Sequence, residues 1–203
     1  MKRFFILSIL LLACLVISCN SSDDDDDDEN DTPADDDSDD DDNATDDDTS
    51  DDDDTVSETW TDEATGLVWQ VDPPQEIMTW ENAIAYCEDL DLSGFADWRM
   101  PTISELRSIV RGCPDTFIGG ECGVTDECMD PDCRNNVCIG CDELQGPNEG
   151  CYLPAELKGS CEISESYFSI LEYNIDAAWS IAFDRANVNG RTFTPGSFVR
   201  CVR

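Results

Sequence analysis

The chain contains no histidine and few basic residues. Its 203 residues include 48 Asp or Glu and 11 Lys or Arg, which gives a formal net charge of −37. The absence of histidine removes the commonest general base and metal ligand of proteins. The scarcity of cations argues against nucleic-acid binding, because phosphates require a basic protein surface. It equally disfavours direct adhesion to anionic lipid.

The chain also lacks a hydrophobic run long enough to cross a bilayer. Its apolar stretch, residues 4–17, is about 14 residues long, whereas a membrane-spanning helix needs about 20. Lys2 and Arg3 precede this stretch, as in a secretory signal. The residues before Cys19 resemble the lipobox of bacterial lipoproteins, which implies that residues 1–18 are removed and that Cys19 carries lipid. A plain signal peptide cut elsewhere is the alternative.

The lipobox resemblance also implies a location. Multiple acyl chains anchor a protein stably. Asn20 follows Cys19, so the Asp that retains some lipoproteins at the inner membrane is missing. We therefore expect a lipid-anchored protein of the bacterial outer membrane, exposed at the cell surface, with the periplasmic face as the alternative.

A strongly acidic segment, residues 19–54, follows the leader. Residues 20–54 contain 22 Asp or Glu but no Lys, Arg, aromatic, Leu, Ile, Val or Met. Such a composition cannot bury enough apolar surface to offset the entropy of ordering, so we predict disorder. The segment is interpreted as a solvated spacer. Weak Ca²⁺ binding by its carboxylates and a surface-export signal are the alternatives. No cofactor is predicted.

Residues 55–203 have the length of one domain. They carry 26 acidic and 9 basic residues, a net charge of −17. Partners should therefore be neutral, cationic or bridged by a divalent metal.

Ten of the 12 cysteines lie in this domain. An even number in an exported chain indicates a disulfide framework. Zinc binding at Cys138-x-x-Cys141 is the competing interpretation, weakened by the lack of a second such pair. Most of the cysteines lie in an insert, residues 113–161, which is rich in Gly, Pro and Asp. We expect cross-links rather than a core to hold this insert. The ten are Cys87, Cys113, Cys122, Cys128, Cys133, Cys138, Cys141, Cys151, Cys161 and Cys201.

Two helices are predicted. Thr79 can cap a helix that runs to about Leu90 with apolar residues at helical spacing. Thr102 and Glu105 form the capping box of a second helix, which Gly112 stops. Arg107 is placed toward the C-terminal end of this second helix.

Short strands are predicted around the helices. Residues 66–71 and 178–183 are rich in β-prone residues. Asn189-Gly190 is a strong hairpin-turn signal, followed by strands near 191–194 and 198–202. The order of elements predicts an α+β domain with antiparallel strands.

Five sequence blocks together resemble the DUF1566 domain, also called the Lcl C-terminal domain after a Legionella collagen-like adhesin. They are TGLVW at 65–69, WENAIAYC at 80–87, DWRMPTISEL at 97–106, WS at 179–180 and VRCVR at 199–203. The resemblance implies a C-type-lectin-like fold, related to that of formylglycine-generating proteins. The chain departs from the family in having Met100 where Leu is usual, and in its insert. The resemblance places the insert among the long variable loops of such a fold.

The resemblance also implies one disulfide, between Cys87 and Cys201. The other eight cysteines would then pair within the insert, with their connectivity left open.

Several conspicuous side chains have two interpretations. The four Trp of the family blocks are expected to pack in the core, with sugar stacking as the alternative. Asp97 and Arg99 are expected to form structural ion pairs or hydrogen bonds rather than to contact ligand. The insert carboxylates are expected to form a solvated acidic loop rather than a Ca²⁺ site. These residues are Trp69, Trp80, Trp98 and Trp179, and Asp126, Glu127, Asp130 and Asp132.

The sequence predicts a binding protein and not an enzyme. There is no histidine to activate a nucleophile, and the cysteines are expected in disulfides. We expect a lectin-like binding or adhesion domain for an extracellular glycan, matrix polymer or protein. A structural envelope-assembly lipoprotein that binds another envelope protein is the alternative, followed by a formylglycine-generating-like enzyme.

Overall fold

A computed structural model of the protein describes residues 57–203. The predicted signal peptide (1–18), the lipid-bearing Cys19 and the acidic segment 19–54 lie outside the described residues. Within residues 57–203, no helix has the length and apolar character needed to cross a membrane.

The domain is α+β, as predicted, with two helices and two antiparallel sheets. Strands β1 and β2 form one sheet, and β3, β4 and β5 form the other in that order. The insert between α2 and β3 contains two 3-10 turns, Pro131–Cys133 and Asn136–Ile139. The elements are β1 Thr59–Thr61, β2 Val68–Gln70, α1 Trp80–Glu88, α2 Ile103–Ser108, β3 Tyr167–Asn174, β4 Ala177–Ala182 and β5 Asn187–Thr192.

Both helices begin at the predicted caps. The Thr79 hydroxyl accepts from the Asn82 amide, and Thr102 and Glu105 form both halves of a capping box. Helix α2 is shorter than predicted and ends at Ser108. Beyond its end, the Arg111 amide donates to the Tyr152 carbonyl at 2.9 Å, so the chain turns to meet the insert before it reaches Gly112.

Glu105 makes the stability of this capping box dependent on pH. Burial alone would raise the pKa of Glu105, but hydrogen bonds from Arg99 and from the Thr102 amide outweigh burial and lower it. Because the folded pKa lies below the unfolded one, the stabilisation is present above the ordinary carboxyl pKa. It is lost as pH falls through the lowered folded value.

We expect Glu105→Gln to reduce the free energy of unfolding by about 1 kcal/mol at neutral pH, because glutamine can still cap the helix but loses the charge that pairs with Arg99. The difference from wild type should shrink in acid, where the wild-type carboxyl is also protonated. Urea unfolding at a series of pH values measures this. Glu81→Gln, at an exposed position in the first turn of α1, is the matched control. If the difference in unfolding free energy between Glu105→Gln and wild type did not change with pH, the ionised Glu105 carboxylate would not be its cause.

The hairpin between β4 and β5 corrects one prediction. Ala182 pairs with Asn187, so the turn comprises residues 183–186, and Asn189-Gly190 lies inside β5 opposite Ser180 and Trp179. The predicted Asn189-Gly190 turn is therefore wrong. Glycine is needed at position 190 for close packing, since a Cβ there would collide with the ring of Tyr173.

Other strands differ from expectation in extent. The predictions for residues 66–71 and 178–183 are confirmed by β2 and β4, whereas β1 and β3 are not predicted from the sequence. Residues 198–202 form no continuous strand. Instead Phe198 bridges Tyr167, and Val202 bridges both Trp69 and Arg99. This last segment therefore connects the two sheets.

The main hydrophobic core is shared between the scaffold and the insert, so this core holds the insert together with the predicted cross-links. Val124, Tyr152, Leu153 and Leu157 of the insert are buried in the same cluster as Trp69, Trp179, Ile181 and Val188. A second cluster packs α1 against the other side of the three-stranded sheet through Ala83, Phe168 and Ala178.

The tryptophans of the family blocks mostly pack in the core, as predicted. Trp69, Trp98 and Trp179 are buried. Trp80 is half-buried, its ring stacks on Phe193 with centroids 4.8 Å apart, and its indole N–H donates to the Ser169 carbonyl at 2.8 Å. These contacts already occupy Trp80, which leaves it poorly placed to stack on a sugar.

Candidate ligand-binding site

All ten cysteines of the domain lie at disulfide distance in five pairs. Cys87 on α1 joins Cys201 in the last segment, with Cα atoms 5.5 Å apart. The sulfurs of Cys138 and Cys141 go to different partners, so neither is a thiolate available to zinc. The four pairs within the insert are Cys113–Cys141, Cys122–Cys138, Cys128–Cys133 and Cys151–Cys161.

Arg107 attaches the insert to α2. Its guanidinium is buried and donates to the carbonyls of Thr116 at 2.8 Å and Phe117 at 3.0 Å, and also to that of Val124. Burial lowers the pKa of Arg107. The sequence gives no sign of this burial because the partners are backbone carbonyls rather than a carboxylate.

Arg200 is the second fully buried arginine. It donates to the Val71 carbonyl at 3.0 Å and to the carbonyls of Gln70 and Lys158. Burial lowers the pKa of Arg200 to about 10, opposed by the nearby Tyr167 hydroxyl. This arginine joins the last segment to β2 and to the end of the insert.

The insert covers one face and one edge of the three-stranded sheet. The Trp179 indole N–H donates to the Met129 carbonyl at 2.9 Å. Along the edge of β5, Arg134 donates to the Val188 carbonyl at 3.0 Å and Asn187 donates to the Ile139 carbonyl at 3.1 Å. This protects an edge strand that would otherwise be open to pairing with another chain.

The opposite face of the sheet forms a small polar cleft at the β4–β5 end. Side chains alternate along β5, so Asn187, Asn189 and Arg191 lie on the face away from the buried Val188. Ser180 and Ala182 stand beside them on β4. The cleft has a volume of about 180 Å³ and is lined by Ser164, Ser166, Ser180, Ala182, Asn187, Asn189, Gly190 and Arg191.

The polar groups of the cleft are only partly used by the protein. The Ser180 hydroxyl donates to the Asn189 carbonyl at 3.0 Å, and the hydroxyls of Ser166 and Ser197 lie 2.8 Å apart. The Asn189 side-chain oxygen accepts from the Gly190 amide at 2.9 Å, which leaves its NH₂ group to donate outward. Ser164 is exposed at the rim. Such an array of neutral donors and acceptors suits a ligand rich in hydroxyls.

Four of the six charged residues singled out in the sequence make structural contacts, whereas Glu127 and Asp132 are exposed, as expected for a solvated acidic loop. Asp97 pairs with Arg203 at 2.6 Å, and Arg99 pairs with Glu105. In the insert, Asp126 accepts from the Ser104 amide at 2.9 Å and Asp130 caps the first 3-10 turn. Within residues 57–203, no group of three or more His, Cys, Asp or Glu is arranged to hold a metal ion.

The fold and the cleft define a disulfide-bonded α+β module with a small polar surface site. Residues 58–203 match the family model of the Lcl C-terminal domain, and the chain belongs to that family. No curated protein matches the sequence.

The cleft itself was missed by sequence reasoning. Its signal is the alternation of polar residues at 187, 189 and 191 with Val188 and Gly190, which is the pattern of a strand with one solvent-facing side. The Asn-Gly pair inside this pattern was instead interpreted as a turn, which divided the strand.

Proposed function

We propose that this protein is a lipid-anchored envelope protein whose C-terminal domain binds a hydroxyl-rich extracellular ligand, a glycan or matrix polymer, in the polar cleft. The observation that carries the proposal is the neutral polar lining of the cleft, in which the exposed Ser164 hydroxyl and the Asn189 NH₂ group make no hydrogen bond within the described residues. Membership of the Lcl C-terminal domain family supports an adhesin-like role. We further propose that the α+β architecture is of the C-type-lectin-like kind.

The anchor and spacer support a surface role. The lipobox-like sequence before Cys19 provides outer-membrane attachment. The 35 residues of the acidic spacer could extend to about 120 Å, and a flexible coil of that length averages about 35 Å. Either distance would hold the binding domain clear of the lipid headgroups.

Binding without catalysis is part of the proposal. The domain has no histidine, and all ten of its cysteines lie in disulfide pairs. These features remove the Ser–His and Cys–His pairs of nucleophile and base that commonly carry out covalent catalysis. They also remove the free thiols that a formylglycine-generating mechanism would use.

One observation favours the alternative of an envelope-assembly protein. Phe117 and Ile118 of the insert are each about two-fifths exposed, and Phe117 borders a shallow groove with Val110 and Pro114. An exposed apolar surface of this kind is suited to contact with another protein.

A glycan and matrix-polymer array tests the proposal directly. We expect the full-length chain in detergent to bind hydroxyl-rich ligands equally with Ca²⁺ and with chelator. Asn189→Trp, which fills the cleft, should reduce binding at least about tenfold. Asn174→Trp, an exposed asparagine on β3, is the matched control and should bind normally. If Asn189→Trp leaves binding unaffected, the binding site lies outside the cleft. If wild type binds no ligand on the array, a protein partner is favoured.

A further inference from the structure

Eight of the nine basic residues in the described part of the chain are engaged by the protein itself. Five pair with carboxylates: Arg99, Arg111, Lys158, Arg185 and Arg203. Three donate to backbone carbonyls: Arg107, Arg134 and Arg200.

The ninth basic residue is Arg191, and it lines the polar cleft. Within residues 57–203 its guanidinium has no carboxylate within 4.0 Å and no hydrogen-bond acceptor. Its neighbours in the cleft are the neutral side chains of Ser180 and Asn189, although the domain carries 26 acidic residues. The cleft thus holds a half-exposed guanidinium with no carboxylate among the lining residues, in a strongly acidic domain.

We propose that the cleft binds a hydroxyl-rich ligand bearing a single carboxylate, with Arg191 as the residue that recognises the charge. The guanidinium fork matches a carboxylate in a two-point hydrogen bond. Ser164 and the Asn189 amide are placed to meet the adjacent hydroxyls. This inference rests on the proposed function and adds the chemical class of the ligand.

The net negative charge of the domain, set against the single positive charge of Arg191, favours a ligand with one anionic group at the site. The domain carries a net charge of −17, and its field repels polyanions. The cleft has a volume of only about 180 Å³, so it contacts a small part of any polymer. The expected ligand is therefore a sugar acid or the carboxylated end residue of an otherwise neutral chain, rather than a polysulfated polymer.

Matched ligands test this inference. Oligosaccharides that end in a uronic acid and the same oligosaccharides after carboxyl reduction are titrated into the full-length chain in detergent, with dextran sulfate as the polyanion. We expect the carboxylated forms to bind about tenfold more tightly than the reduced forms. The preference should weaken as salt is added, and dextran sulfate should bind no better than the reduced forms.

Variants assign the preference to one side chain. Arg191→Gln should abolish the preference for the carboxylated forms while weak binding of the reduced forms persists, and Arg191→Lys should retain part of the preference. Arg134→Gln, a half-buried arginine outside the cleft, is the control and should keep the full preference. Unchanged unfolding of Arg191→Gln verifies that the fold is intact.

Two kinds of result overturn the inference. The first kind would show that Arg191 does not recognise a carboxylate. It comprises equal binding of the carboxylated and reduced forms, tighter binding of dextran sulfate, and a preference for carboxylated forms that persists in Arg191→Gln. The proposed function would still stand if the reduced forms bind and Asn189→Trp abolishes that binding. Absence of binding by every sugar, charged or neutral, would overturn both proposals.

Discussion

Replacing Cys87 and Cys201 together with alanine is expected to lower the free energy of unfolding by about 4–5 kcal/mol. These cysteines are separated by 114 residues, and both are fully buried. Their bond closes a loop that contains most of the domain, so it removes more conformational entropy from the unfolded chain than any shorter cross-link here. Chemical denaturation of the oxidised variant and of wild type measures the difference.

The control is the shortest cross-link in the domain. Cys128 and Cys133 are separated by five residues and lie near the surface of the insert. The chain-entropy account predicts a loss of only about 2 kcal/mol when both are replaced by alanine. Equal losses from the two double variants would show that loop length does not govern these disulfides and would contradict the prediction.

Local chemical signals in the sequence were sufficient to predict the two helices and the strands β2 and β4. The capping box at Thr102 and Glu105 and the cap at Thr79 involve residues close in sequence, so their hydrogen bonds are fixed by spacing. The predicted burial of Trp69, Trp98 and Trp179 also holds, because large apolar side chains in a small domain have few other places to pack.

Features that depend on distant contacts could not be predicted in this way. Arg107 lies four residues after the buried Ile103, but a charged side chain is not expected in a core, and only the folded insert brings carbonyls to its guanidinium. Gly190 has the local signature of a turn, yet Tyr173 on another strand determines its role. The insert shows no periodic pattern because its apolar residues are recruited singly into a core built by other elements.

Arg107→Met is expected to destabilise the domain by about 3–5 kcal/mol. The substitution keeps an unbranched apolar side chain in the space but removes charge-assisted hydrogen bonds to three carbonyls. Thr116 and Val124 are fully buried, so their oxygens would lose partners in a place with little water. Buried polar groups left without partners cost about 1–3 kcal/mol each, and this sets the size of the effect.

Hydrogen exchange should show which segments lose stability in Arg107→Met. Because Arg107 holds the start of the insert, amides near residues 113–125 should lose protection in Arg107→Met before those of β3 and β4 do. Arg191→Met is the matched control, because Arg191 donates no hydrogen bond within the described residues and its replacement should leave the unfolding free energy unchanged.

The pattern of lost protection distinguishes two accounts of how the insert is held. If disulfides alone hold it, Arg107→Met would cost little, because Cys113–Cys141 and Cys122–Cys138 would keep the segment in place. If the buried guanidinium organises the insert, its loss would loosen the segment although every disulfide remains intact. A disulfide restricts the conformations of the unfolded chain. It supplies no hydrogen-bond donors to the carbonyls that are buried in the folded state. We therefore expect the second outcome, with the cross-links and Arg107 making separate contributions to stability.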